Sequence, residues 1–146
     1  MSQEIIVLGA DHAGFAYKEM VKAWLLEAGY AVEDKGTDSL DSVDYPDFVH
    51  PAAEFIEAGR AQRGLLFCGS GNGVAMTANK HQQIRAAIAW TEELSRLARQ
   101  HNNANMLAVP CRFVSEAVTL SMVKAFLATD FEGGRHARRV GKIASC

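Results

Sequence analysis

Short apolar runs alternate with stretches of helical periodicity along this chain, and no other feature limits its possible folds so strongly. Ile5-Ile6-Val7-Leu8 reads as a buried strand. Tyr17, Met20, Val21, Trp24, Leu25 and Ala28 share one helical face, and Gly29 stops that helix. Tyr30 to Glu33 is a weak strand, and Lys35 to Tyr45 a polar loop. Pro46-Asp47 starts a helix that ends near Gly59. A strand over Gly64 to Cys68 and a short helix over Val74 to Lys80 follow. Arg85 to Trp90 is a further strand, Thr91 an N-cap, and Glu92 to Gln100 a helix. Asn105 to Val109 is the fifth strand, and Ser115 to Leu127 a helix with Val118, Met122, Ala125 and Phe126 on its apolar face. Phe131 to Cys146 is basic in its middle and ends in a short helix. Strands separated by helices indicate a parallel sheet covered on both faces. The expected fold is therefore α/β, a three-layer α/β/α Rossmann-like domain on a five-stranded parallel sheet, with residues 1–146 as one domain. In such folds ligands bind beyond the C-terminal ends of the strands. Asp11-His12, Cys68 to Gly73 and Arg112 should then share one rim.

Composition excludes several classes of function. The formal charge is −2 and there is no basic run, so nucleic acid is not an expected partner. No apolar stretch approaches the length of a membrane span, and no N-terminal signal is visible. Cys68, Cys111 and Cys146 have no CxxC spacing and leave an odd one over, which reads as free thiols in the cytoplasm. His12, His50, His81, His101 and His136 are scattered without i, i+4 partners, so no metal cluster is expected. His50 and His81 read as surface residues.

Chemistry concentrates where Cys68 closes an apolar strand and opens Gly69-Ser70-Gly71-Asn72-Gly73 before a helix. Backbone N–H groups and the helix dipole at such a turn stabilise a thiolate. The same groups can hold an oxyanion or a phosphate. The plainer alternative is a buried strand cysteine. The turn is not a Walker A loop, and Gly9-Ala10-Asp11-His12-Ala13-Gly14 is not a GxGxxG fingerprint. Asp11 and His12 can orient hydroxyls and bind phosphate, or Asp11 can cap the first helix. His101-Asn102-Asn103 offers an acid/base near neutral pH, or a helix C-cap. Arg135 and Arg139, four apart beside His136, share a helix face suited to phosphate, or form a solvated basic tail.

Taken together these segments resemble the ribose-5-phosphate isomerase B family, which also includes galactose-6-phosphate isomerase subunits and allose-6-phosphate isomerases. The matching segments are the Gly9 to Gly14 turn, Asp34-Lys35-Gly36-Thr37, Asp44-Tyr45-Pro46, Cys68 to Gly73, Ala78-Asn79-Lys80, Arg99 to Asn105 and Gly134-Arg135-His136. They occur in the family's order along nearly the whole chain. The resemblance implies a metal-independent, cofactor-free aldose–ketose isomerase acting on ribose 5-phosphate and ribulose 5-phosphate. The same chemistry on allose 6-phosphate, galactose 6-phosphate or a tetrose phosphate is the near alternative; a non-catalytic sugar-phosphate subunit is the distant one. It implies Cys68 as the base, with Ser70 and the backbone of Gly69, Gly71 and Gly73 around the enediolate. His101 and Asp11 would open the sugar ring, and Tyr45, Asn72 and Asn102 would lie against the sugar. His12, Arg112, Arg135 and Arg139 would bind phosphate, with His136 lining the pocket. It further implies a homodimer with shared sites, able to pair into a tetramer, in which His101 and Arg112 come from the partner. Val74 stands where some members carry a glutamate base, and Pro110 where a glycine is common.

Overall fold

The computed structural model describes residues 3–145. The elements run β1 (Ile5–Ala10), α1 (Phe15–Glu27), β2 (Ala31–Asp34), α2 (Pro46–Glu57), β3 (Arg63–Cys68), α3 (Asn72–Ala78), β4 (Ala86–Ile88), α4 (Glu92–Asn102), β5 (Met106–Pro110), α5 (Glu116–Ala128) and α6 (Arg135–Gly141). All strand pairs are parallel, and the sheet order is β2-β1-β3-β5-β4.

The period-2 geometry of strands sorts the apolar runs onto two faces. Ile6, Leu8, Leu65, Phe67, Leu107 and Val109 pack with Val21, Leu25, Met122 and Phe126 of α1 and α5. Val7, Leu66, Cys68, Met106 and Ala108 pack with Val49, Phe55, Val74 and Ala78 of α2 and α3. The result is the expected three-layer α/β/α architecture, with continuous apolar strands because both faces are buried.

Several boundaries differ from the sequence reading for local reasons. The third helix begins at Asn72, two residues early, because Gly71 takes a left-handed φ of 79° and turns the chain straight into it. The edge strand β4 is only three residues long, since the Arg85 N–H is taken by the Asn105 side chain at 2.7 Å. Helix α4 continues to Asn102 and ends on Asn103 with φ 48°, so His101 lies in its last turn. Thr91 caps α4 by accepting from Leu94 N–H, and Ser115 caps α5 in the same way from Val118 N–H. Cys146 lies outside the described residues. No helix among the described residues is long and apolar enough to cross a membrane.

The fold also buries a cation that no sequence pattern marks. Lys18 is fully buried on α1, with Nζ 2.6 Å from Asp34 Oδ2. Lys22 Nζ reaches the same oxygen at 3.0 Å, and Gly36 N–H donates to Asp34 Oδ1 at 2.9 Å. Burial works against the charge on Asp34, but the bonds from Lys18, Gly36 and Lys22 outweigh it and hold the carboxyl below its ordinary value. A depressed carboxyl adds stability above its unfolded value and loses it as pH falls through its folded value. Asp34→Asn keeps the Gly36 bond and removes the charged partner of Lys18, which should cost about 2 kcal/mol at neutral pH. In urea titrations at several pH values, the part of the acid-side decline owed to Asp34 should be absent from the variant.

Candidate active site

Strand register assembles the site. Ala10 pairs with Phe67, and Cys68 pairs with Pro110. Asp11, Cys68 and Arg112 therefore leave the sheet side by side. The strand order reverses between β1 and β3, which is where a parallel α/β sheet opens its ligand crevice. An open cavity of about 760 Å³ lies there. Asp11, His12, Tyr45, Cys68, Gly69 and Ser70 line it, with Asn72, Gly73 and Arg112 completing the polar wall. Met76 and Phe113 add an apolar wall that no sequence motif marked. A cavity of this size, with convergent polar groups, suits a small polar metabolite.

At its floor Cys68 is buried, 5% exposed, and the Gly71 N–H donates to Sγ at 3.1 Å. The sulfur thus sits inside the nest of N–H groups formed by the turn. Ser70 Oγ accepts from Asn72 N–H at 3.2 Å, which leaves the hydroxyl hydrogen free to donate. A Cβ on Gly73 would stand 2.5 Å from Tyr45 Cζ, so the Tyr45 ring lies directly against the turn.

Asp11 does cap the start of α1. Its Oδ1 accepts from Ala13 N–H at 2.9 Å and Gly14 N–H at 3.1 Å. The cap and the cavity position coexist in one residue, 8% exposed. His12 Nδ1 accepts from Val43 N–H at 3.2 Å, which sets the tautomer with the proton on Nε2 and makes that atom a donor.

Arg112 also stands at this cavity. Its backbone N–H donates to Gly69 O at 3.0 Å, and its side chain runs along Gly69. Pro110 does not disturb this, because it closes β5 opposite Cys68 and Cys111 N–H still donates to Cys68 O at 2.8 Å. Cys111 lies buried beside the site, and burial first, then the charges of Cys68 and Asp11, push its thiol up to about 12.

The remaining sequence candidates lie elsewhere. Helix α4 starts beyond the C-terminal end of β4 and runs back about 16 Å to the opposite rim of the sheet. His101 in its last turn is therefore remote from Cys68, and Asn102 lines a separate cavity with Arg85 and Ile143. His136 stacks on His101, ring centroids 4.3 Å apart, in the first turn of α6. Arg135 and Arg139 are exposed on that helix. The scattered histidines also form pairs that linear spacing hid. Besides the His101 and His136 stack, His50 Nδ1 is 2.7 Å from His81 Nε2, and His81 Nδ1 is 2.7 Å from Glu57 Oε1.

Comparison with known proteins gives a consistent result. The family model described as Ribose/Galactose Isomerase matches residues 6–143. The chain is 39% identical over 140 residues to the ribose-5-phosphate isomerase B of Escherichia coli, covering 96% of this chain and 94% of that one. A crystal structure of a ribose 5-phosphate isomerase from Thermotoga maritima superposes with a TM-score of 0.96 at 43% identity, covering 99% of this chain and 100% of that one. The ribose-5-phosphate isomerase B of Mycoplasma genitalium with bound ribulose-5-phosphate superposes with a TM-score of 0.92 at 39% identity, covering 99% and 96%.

Proposed function

Because this chain belongs to the ribose/galactose isomerase family, we propose that it interconverts ribose 5-phosphate and ribulose 5-phosphate, with Cys68 as the base. The observation that carries this reading is the Cys68 sulfur at the floor of the cavity, accepting the Gly71 N–H. An aldose–ketose isomerase must remove a weakly acidic C–H proton and hold the oxyanion that results. Cys68 takes the proton from C2 of the open-chain aldose and returns it to C1. The negative charge passes meanwhile to the two enediolate oxygens, and the proton of the C2 hydroxyl moves between them to O1, which leaves the ketone at C2. The Ser70 hydroxyl and the N–H groups of Gly69 and Gly73 are placed to stabilise those oxygens, while Gly71 holds the sulfur. The reverse reaction uses the same path.

His12 Nε2–H and Arg112 supply donors to the substrate from the same chain. The ring-opening and remaining phosphate groups fit a homodimer with shared sites. His101, Asn102, Arg135, His136 and Arg139 lie at the far rim of their own sheet, about one helix length from Cys68, and a second copy can present them. The residues from Phe131 onward then serve both the phosphate site and the dimer, and two dimers can pair into a tetramer. Free, buried Cys68 and Cys111 support a cytoplasmic setting.

The test is kcat/KM of the purified protein, with EDTA present, on ribose 5-phosphate, allose 6-phosphate, galactose 6-phosphate and tetrose phosphates. Ribose 5-phosphate should be preferred by at least tenfold. Preference for another sugar would keep the residue roles and change the substrate; silence on all of them would overturn the reading.

A further inference from the structure

Glu132 and His136 stand four residues apart in the sequence, and the fold brings His101 beside them. Their candidate ligand atoms all lie within 4.8 Å of one another. Glu132 Oε1 is 4.0 Å from His101 Nε2 and 3.8 Å from His136 Nε2. We propose that these three side chains form a reversible site for a zinc-class divalent ion, whose occupation withdraws His101 from the isomerase reaction. The loss of activity rests on the isomerase reading above; the binding does not.

The donor set is two imidazole nitrogens and one carboxylate oxygen, which suits zinc, cobalt, nickel or copper ions and not magnesium or calcium. Bonds of about 2.0–2.2 Å in a tetrahedral site place ligand atoms about 3.4 Å apart. The observed separations exceed this modestly, and closing them needs a tilt of the stacked rings and a swing of the Glu132 side chain, which is 51% exposed. The backbone already holds the three together. Glu132 N–H donates to Gln100 O at 3.0 Å, tying the segment before α6 to the last turn of α4. His136 N–H donates to Gly133 O at 3.1 Å, and Glu132 and His136 are four residues apart. Side-chain exposure is 39% for His101 and 11% for His136, so one face remains open for entry and for a water as fourth ligand.

A metal needs neutral imidazoles. Arg135 and Arg139 lie on the same helix as His136. The same arginines repel a divalent ion, which favours a reversible site over a permanent one. An ion bound here engages His101 Nε2 directly, and an imidazole whose lone pair is bonded to a metal cannot carry a proton from a sugar hydroxyl.

The test uses the full chain after a chelator wash. Co²⁺ is titrated and followed by its visible absorption, and Zn²⁺ is then titrated in competition and against isomerase activity. One Co²⁺ per chain with the intensity of a tetrahedral site is expected, displaced by Zn²⁺. Activity should fall with Zn²⁺ and return with EDTA. Glu132→Gln should require at least tenfold more Zn²⁺ for both effects, its inhibition being read against its own metal-free activity, because it loses the anionic ligand. Absence of Co²⁺ absorption would overturn the proposal. So would a Glu132→Gln variant inhibited like the parent, since the inhibiting ion would then not depend on Glu132. A chain that binds one Glu132-dependent Co²⁺ but isomerises nothing would refute the reaction and leave the metal site standing.

Discussion

Cys68→Ala is expected to lower kcat by about 10²–10⁴-fold, the range a positioned acid or base contributes to proton transfer. The fold should survive. The substitution removes one sulfur atom at a strand end that is already open to a cavity, so the unfolding free energy should change by about 1 kcal/mol or less. Steady-state kinetics and urea unfolding on the same preparation separate the two effects. The neighbouring Cys111 is the internal control. Its thiol, pushed up to about 12 by burial, stays protonated at any working pH, and it donates to Val109 O at 3.5 Å rather than facing substrate. Cys111→Ala should therefore retain activity within severalfold. Thiol alkylation should inactivate the parent through Cys68 alone, because the thiolate is the reactive form. Activity of Cys68→Ala within tenfold of the parent would remove this residue from the base role.

Gly14→Ala is expected to cost about 3 kcal/mol or more, a larger loss than most single substitutions cause. A Cβ at Gly14 would stand 2.2 Å from Phe67 O, 2.3 Å from Phe67 C and 2.6 Å from Phe67 Cβ. Two of these are backbone atoms of a central strand, and they cannot swing aside. The penalty is steric, since the φ of Gly14 is −97° and any residue adopts it. Relief requires lifting the start of α1 from β3. That would also break the Asp11 N–H bond to Phe67 O, 3.2 Å long, which holds Asp11 beside Cys68. Stability and activity should fall together. Gly141→Ala is the contrast: a Cβ there meets nothing within 4 Å, and it lies in helix α6, so stability should hold or rise slightly. Urea unfolding of the three proteins decides it, and a Gly14→Ala loss below about 1 kcal/mol would show that α1 shifts freely over the sheet.

Cys68 and Gly14 differ in how far their roles are legible in the residues alone. Cys68 was visible because local signals agree there: an apolar strand, a thiol and a glycine turn in succession. Gly14 was part of a motif, but its distance to Phe67 depends on two segments far apart in the chain. The same division runs through the site. Asp11, His12, Cys68 and Arg112 were expected on one rim because each follows a strand, and parallel strands all end on the same side. Phe113 and Met76 carried no signal, since an apolar residue in a cavity wall has the same local chemistry as one in a core.

By itself the sequence determined the α/β class, the two-faced burial of the strands and the turn that holds the sulfur, because hydrophobic period and turn chemistry are local properties. Tertiary structure alone decided the rest. It laid the Arg112 side chain against Gly69 through the register of β3 and β5, and it sent His101 to the far rim because a helix after a parallel strand must run back. It also gave buried Lys18 its partner Asp34, and it gathered His101, Glu132 and His136 from two segments into one cluster. Each of these depends on where one element docks on another, a free energy shared among many contacts and written in no single stretch of residues.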